Sequence, residues 1–234
     1  MLNQSFDNKI YEVSEIKDIF NYSHNSPILI EISGTPNSGK TTALNTLEIA
    51  LRRSKIKNVK ILYESAKLCP ISNKYSPQFN YWTSYETLKS ILECIDKKYN
   101  YIICERGAFD TLCWMTTYFL DKKITEEQYK TLINLYSSFD WTDILKYILL
   151  VKCSTHAALS RETTNDLIRK HGSIVNSTII TKYNNSFDLA LNQFKNKNCS
   201  YSIIDTTNMT NNESNIKICS SILEFIKHIR PVNN

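Results

Sequence analysis

The stretch Gly34-Thr35-Pro36-Asn37-Ser38-Gly39-Lys40-Thr41-Thr42 has the spacing G-x-x-x-x-G-K-[ST]. That pattern suits one chemical task, the holding of phosphates. Glycines let successive backbone N–H groups turn inward around phosphate oxygens, and a helix starting at Lys40 adds its positive end. Lys40 would span the outer phosphates and the Thr41 hydroxyl would supply an oxygen to Mg²⁺. All nine residues from Gly34 to Thr42 are therefore expected to line a nucleotide's phosphates. The chain has only four glycines, Gly34, Gly39, Gly107 and Gly172, so each position carries information.

Two further segments end in acids. Tyr101-Ile-Ile-Cys closes in Glu105, followed by Arg106-Gly107, and Ile61-Leu-Tyr closes in Glu64. In an open α/β sheet the ligand lies beyond the carboxyl ends of the strands, so these are the first places to look for chemistry. Glu105 stands where an acid can hold Mg²⁺ together with Thr41, directly or through water. Asp110, four residues after Arg106, is either a further acid of the site or the N-terminal charge of the next helix, and the second reading is preferred. Between Leu68 and Trp82 runs a segment with two prolines and four aromatics, read as a long functional loop. A flat acceptor could stack there on Phe79, Tyr81 or Trp82 and be read by Asn80 or Gln78. Trp114 could add a wall, although a core position suits it better.

These residues need elements to hold them. Pro27 opens the β-branched run Ile28–Ser33, a buried strand, and Ala43, Leu44, Leu47 and Leu51 mark one face of a helix over 40–55. The alternation continues with strands at 59–63, 101–104, 147–151 and 201–204. Helices are expected at 83–98, 109–120, 125–139, 155–168, 178–194 and 213–229, with a short one near 12–22. Short apolar strands separated by helices specify an α/β fold, a parallel five-stranded sheet covered on both faces in a three-layer α/β/α sandwich. Residues 1–26 read as an N-terminal extension, either an arm in an oligomer or a cap on the sheet. Residues 27–234 read as one domain.

Composition narrows the function classes. The chain has 234 residues and no apolar run long enough to span a membrane, and its start lacks the pattern of a secretory leader. Its seven cysteines are scattered and form no CxxC pair, so they read as buried free thiols in a reducing cytoplasm. A net charge of +5 fits a protein that receives small polyanions at least as well as one that binds nucleic acid, which is not excluded.

The phosphate loop resembles that of the P-loop NTPase superfamily, in its kinase branch, and the N-K-x-D signature of the switch GTPases is missing. Glu105-Arg106-Gly107 resembles the [DE]-R-[SYG] signature of thymidylate kinases and deoxynucleoside kinases. The resemblance implies a P-loop NTPase fold with strand order 2-3-1-4-5. It also implies ATP with Mg²⁺ on Thr41 and Glu105, Arg106 as a clamp on the acceptor, and Glu64 as the group that takes the acceptor's proton. Gly107 would let the backbone pass close to that acceptor. Phe79, Asn80, Trp82, Arg106 and Asp110 would form the acceptor side. Kinases of this group carry a lid after the fourth strand; here it would span about 155–176, with Arg161 and Arg169 joining Lys40 as charge stabilisers and Gly172 capping its helix. The chain departs from the family's R-x-R pair, having Arg169-Lys170 instead. The stretch Asp205-Thr206-Thr207-Asn208 is similar to the segment that packs on the donor adenine. The implied activity is phosphoryl transfer from ATP to a nucleoside, nucleotide or related small acceptor. The alternatives are a kinase acting on a nucleic-acid end or another metabolite, and a regulatory module that binds ATP. A homodimer is left open.

Overall fold

The computed structural model describes residues 11–137, 143–165, 175–194 and 199–229. Five strands, β1 (Ile28–Gly34), β2 (Val59–Leu62), β3 (Tyr101–Glu105), β4 (Leu145–Lys152) and β5 (Ser200–Asp205), form one sheet in the order β2-β3-β1-β4-β5. Every neighbouring pair is parallel. The expected order and architecture are borne out. β1 is central and buried along its whole length, which is why it reads as an apolar run.

Helices cover both faces. The helices are α1 (Val13–Phe20), α2 (Lys40–Arg53), α3 (Pro77–Asp96), α4 (Ala108–Leu120), α5 (Glu126–Ser137), α6 (Thr155–Asn165), α7 (Ser177–Gln193) and α8 (Asn211–His228). The two-residue period of the strands divides the core. Ile28, Ile30 and Ile32 of β1 pack with Ala43, Leu44 and Leu47 of α2 and Ile218 and Ile222 of α8. Leu29 faces the other way, toward Leu112, Met115 and Tyr118 of α4 and Tyr183 and Phe187 of α7. The same period puts Glu31 on this second, apolar side.

Several element bounds shift by a residue or two from expectation, and that of α3 shifts most. α3 starts at Pro77, six residues before the expected Thr83, so Phe79, Asn80, Tyr81 and Trp82 lie on a helix and not on a loop. The reason is local: Ser76 caps the helix by accepting the Phe79 N–H at 3.2 Å, and Pro77 occupies a first-turn position where no N–H is needed. α1, in the expected extension, buries Ile16, Ile19 and Phe20 in the α2/α8 side of the core. Of the expected lid, Arg169, Lys170, His171 and Gly172 lie outside the described residues. Among the described residues no helix is long and apolar enough to cross a membrane.

Candidate functional site

The loop between β1 and α2 turns because its backbone is built for it. Gly34 has φ +129°, and a Cβ there would fall 2.0 Å from the Val151 carbonyl oxygen of β4, so only glycine fits. Asn37 takes φ +58° at the apex. The loop is tied on both flanks. The Thr35 hydroxyl donates to Asn184 of α7 at 2.8 Å and accepts the Cys153 N–H at 3.2 Å, while the Thr206 hydroxyl, after β5, donates to the Ser38 carbonyl at 3.1 Å. Pro36 is half-buried and the Asn37 side chain donates to the Ala158 carbonyl at 3.1 Å. The turn is therefore held from α6, α7 and the β5 end at once.

Lys40 is buried beneath this turn, its Nζ donating to the carbonyls of Gly34 at 3.0 Å and Thr35 at 2.7 Å. Burial, and next the charge of Arg106, push its pKa down to about 8 against the opposing pull of Glu105, Asp110 and Glu64. Thr41 follows at the mouth of α2, with Thr42 exposed beside it. The Thr41 hydroxyl donates to Glu105 Oε1 at 2.6 Å, bringing the two expected metal ligands together across 64 residues of sequence.

Glu105 ends β3 and is only 3% exposed. The next residue, Arg106, has φ +59°, and its N–H donates to the Ile32 carbonyl of β1 at 3.0 Å, which turns the chain sharply after the strand. The turn aims the Arg106 guanidinium at two carboxylates. Nη1 lies 3.0 Å from Oδ1 and 2.9 Å from Oδ2 of Asp110, and Nε lies 3.1 Å from Oε2 of Glu64 at the end of β2. Nε makes no aligned hydrogen bond; its link to Glu64 is an ion pair. Burial opposes the Arg106 charge, but Asp110 and Glu64 outweigh it and hold its pKa well above the ordinary value.

Asp110 is therefore more than the first-turn charge of α4 that the sequence favoured. It is buried, it faces Arg106, and it accepts the Tyr183 hydroxyl proton at 2.5 Å. Tyr183 in turn stacks on Trp114, with ring centroids 4.3 Å apart. Trp114 is 4% exposed, a core residue as preferred, and through Tyr183 it backs the arginine site.

The sequence reading missed Glu31. This carboxylate sits mid-strand on the apolar side of β1 and accepts the N–H groups of Gly107 at 2.9 Å, Phe109 at 3.1 Å and Asp110 at 2.7 Å, with a fourth bond from the Ser33 hydroxyl at 2.7 Å. It thereby caps the start of α4 from outside that helix. Burial pushes its pKa up, while those donors pull the other way. A Cβ on Gly107 would lie 2.6 Å from Glu31 Oε2. The missing side chain of Gly107 thus makes room for Glu31. A lone acid inside an otherwise apolar strand was the available signal.

The other expected residues take the following places. Phe79 is 3% exposed, and Asn80 donates its amide to the Tyr118 hydroxyl at 2.5 Å, so both are built into the packing of α3 on α4; Trp82 is half-buried on the same helix. Arg161 lies against the donor loop: it donates to the carbonyls of Asn37 and Met209 at 3.3 Å, to the Thr206 hydroxyl at 3.1 Å and to the Thr206 carbonyl. It joins the loop apex to the segment after β5, where the sequence expected the donor base. Asp205 folds back onto the Thr207 N–H at 2.8 Å. No group of His, Cys, Asp and Glu able to hold a metal by itself occurs among the described residues, so a metal here would rest on the Thr41–Glu105 pair and a ligand's own oxygens.

No protein-family model matches this sequence, and no curated protein matches it. Solved structures do share its fold. Deoxyadenosine kinase from M. mycoides with bound dATP superposes with a TM-score of 0.61 at 16% identity, covering 83% of this chain and 98% of that one. The same enzyme with the products dCMP and a flexible dCDP gives 0.62 at 16%, over 85% and 100%. Thymidylate kinase from Candida albicans gives 0.57 at 16%, over 89% and 96%. The fold of these structures thus extends over most of the chain.

Proposed function

We propose that this chain is a kinase that transfers the γ-phosphoryl group of ATP to a nucleoside, a nucleotide or a related small acceptor. One observation carries the reading: the phosphate loop and a candidate base meet through a single chain of contacts, Thr41 to Glu105 on β3, then Arg106 to Glu64 just past β2. That chain spans the carboxyl ends of β1, β3 and β2, the crevice where ligands of open α/β sheets bind. The enzymes with which the fold is shared support the choice of acceptor class.

The residues fit the nucleotide and its metal. The Thr41 hydroxyl and the Glu105 carboxylate are adjacent hard oxygen donors of the kind Mg²⁺ takes. Mg²⁺ held there supplies positive charge to the donor phosphates. The chain's own residues do the rest. N–H groups of residues 37–41 cradle the donor, and Lys40, released from the Gly34 and Thr35 carbonyls, meets the developing charge on the transferred group. Glu64, 34% exposed and ion-paired to Arg106, takes the proton of an acceptor hydroxyl. The acceptor oxygen bonds to the γ-phosphorus as the bond to the β,γ-bridging oxygen breaks, and ADP leaves. Arg161, and Arg169 beyond it in the chain, are assigned to the donor side. We place the enzyme in the cytoplasm, with the free state of all seven cysteines in support.

The test is incubation with γ-labelled ATP, Mg²⁺ and a panel of nucleosides, nucleotides and oligonucleotides. Label on a nucleoside or nucleotide is expected. Label on oligonucleotide ends alone would move the acceptor to nucleic acid, and ATP hydrolysis untouched by every acceptor would make the chain an ATP-binding module.

A further inference from the structure

Resting on that kinase reading, we infer that Asp110 makes this site select an acceptor bearing a free hydroxyl and no phosphate, a nucleoside over its 5′-monophosphate. The inference comes from how the charge of Arg106 is spent. An arginine facing the acceptor is the natural partner for an acceptor phosphate, because its planar fork matches phosphate oxygens. Here the guanidinium already faces two carboxylates. Nη1 is held by both oxygens of Asp110 and Nε faces Glu64. Two carboxylates on one guanidinium leave the trio with a net charge of −1.

Asp110 is also hard to displace. Its side chain is 3% exposed against 34% for Glu64, and the Tyr183 hydroxyl pins its Oδ1 at 2.5 Å, with Trp114 stacked behind Tyr183. A phosphate dianion reaching for Arg106 would have to strip a buried carboxylate of its ion-pair partner or sit beside it. A neutral hydroxyl meets neither obstacle, because it needs only the more open Glu64 as proton acceptor. Two lysines at the far end of the same aromatic wall do not reverse the balance. Lys182 is paired with Asp121 at 2.5 Å, and Lys123 donates to the Tyr75 carbonyl and lies over the Tyr75 ring.

The deciding measurement is kcat/KM of the full-length wild-type chain, with ATP and Mg²⁺, for nucleosides and for their 5′-monophosphates. Nucleosides should be favoured by at least about 100-fold. In Asp110→Asn the trio becomes neutral, and the ratio should narrow at least about tenfold, with monophosphates becoming tighter inhibitors. Tyr183→Phe, which removes no charge, should retain the nucleoside preference. Monophosphates accepted as well as nucleosides by the wild type would overturn the inference and leave the kinase reading standing. Phosphorylation of no acceptor of either kind would remove the kinase reading, and this inference with it. An unchanged ratio in Asp110→Asn that is folded by circular dichroism would overturn the role of Asp110; if that variant does not fold, the wild-type ratio decides.

Discussion

Glu31 Oε1 accepts the Gly107 N–H at 2.9 Å, joining the middle of the central strand to the turn that carries Arg106. The contact exists because residue 107 has no side chain: a Cβ there would come within 2.6 Å of the other carboxylate oxygen. Together with the bonds to Phe109 and Asp110, it fixes where α4 starts and hence where Arg106 and Asp110 point.

Gly107→Ala should therefore destabilise the fold by about 1–3 kcal/mol, the usual cost of overpacking a filled interior. Its acceptor turnover should fall further than stability alone explains. Glu31→Gln keeps the shape but replaces one acceptor oxygen with a donor facing N–H groups. Its kcat for the acceptor should drop by about tenfold or more while ATP affinity holds, since among the described residues this carboxylate is hydrogen-bonded to Ser33, Gly107, Phe109 and Asp110 and not to residues 34–42. Denaturant titration, ATP binding and steady-state kinetics separate these effects, and an equal loss of ATP affinity would reduce Glu31 to a general structural role.

Lys40 and Glu64 should fail in different ways. Lys40→Ala is expected to abolish ATP turnover, because no other described cation enters the loop from beneath. Glu64→Gln should bind ATP normally and lose about 10²–10⁴-fold in transfer, the range for removing a general base. Isothermal calorimetry with ATP beside the transfer assay distinguishes them. Full transfer activity in Glu64→Gln would eliminate it as the base.

Arg161 holds the apex of the phosphate loop to the segment after β5 through the Asn37, Thr206 and Met209 carbonyls. Arg161→Ala releases that link and leaves the acceptor side untouched. The expected result is an ATP KM raised about tenfold with the acceptor KM unchanged, a differential of roughly 1.4 kcal/mol. A matching rise in acceptor KM would place Arg161 elsewhere in the mechanism.

Asp121 ties the end of α4 to Lys182 of α7 and to Tyr75 before α3, each at 2.5 Å. Partial burial raises its pKa, but the hydrogen bonds from Lys182 and Tyr75 and the charges of Lys182 and Lys123 outweigh it, so the folded value lies below the ordinary 3.8. The folded state then holds this proton more weakly than the unfolded state. Its stabilisation is fully present above the unfolded pKa and is lost as pH falls through the folded one. Melting curves of wild type and Asp121→Asn should differ at neutral pH and converge in acid. A gap that does not shrink as the pH falls below the ordinary carboxylate range would contradict this.

How much of this was legible in the chain depends on the distance over which each relationship forms. The phosphate loop is a local device: glycine spacing, a lysine and a following helix lie within nine consecutive residues, so Gly34 to Thr42 could be read directly. The strands were legible for a related reason, since burial on both faces demands unbroken apolar runs, and with them came the acids at the strand ends. Even the start of α3 was written locally, in Ser76 and Pro77, though the aromatics after them suggested a loop.

The rest waited for tertiary structure because it is made of partners far apart in sequence. Asp110 meets Tyr183 across 73 residues and Glu31 meets Asp110 across 79. A carboxylate in a strand carries no mark of which helix will later begin above it; parallel register and the packing of α4 over β1 decide that. The sequence by itself determined the spacing of the glycines, lysine and threonine in the loop and the acids that close the neighbouring strands. Only the folded chain decided that the arginine beside those acids is already shared between two carboxylates, because that sharing depends on three strand ends and a helix converging in space.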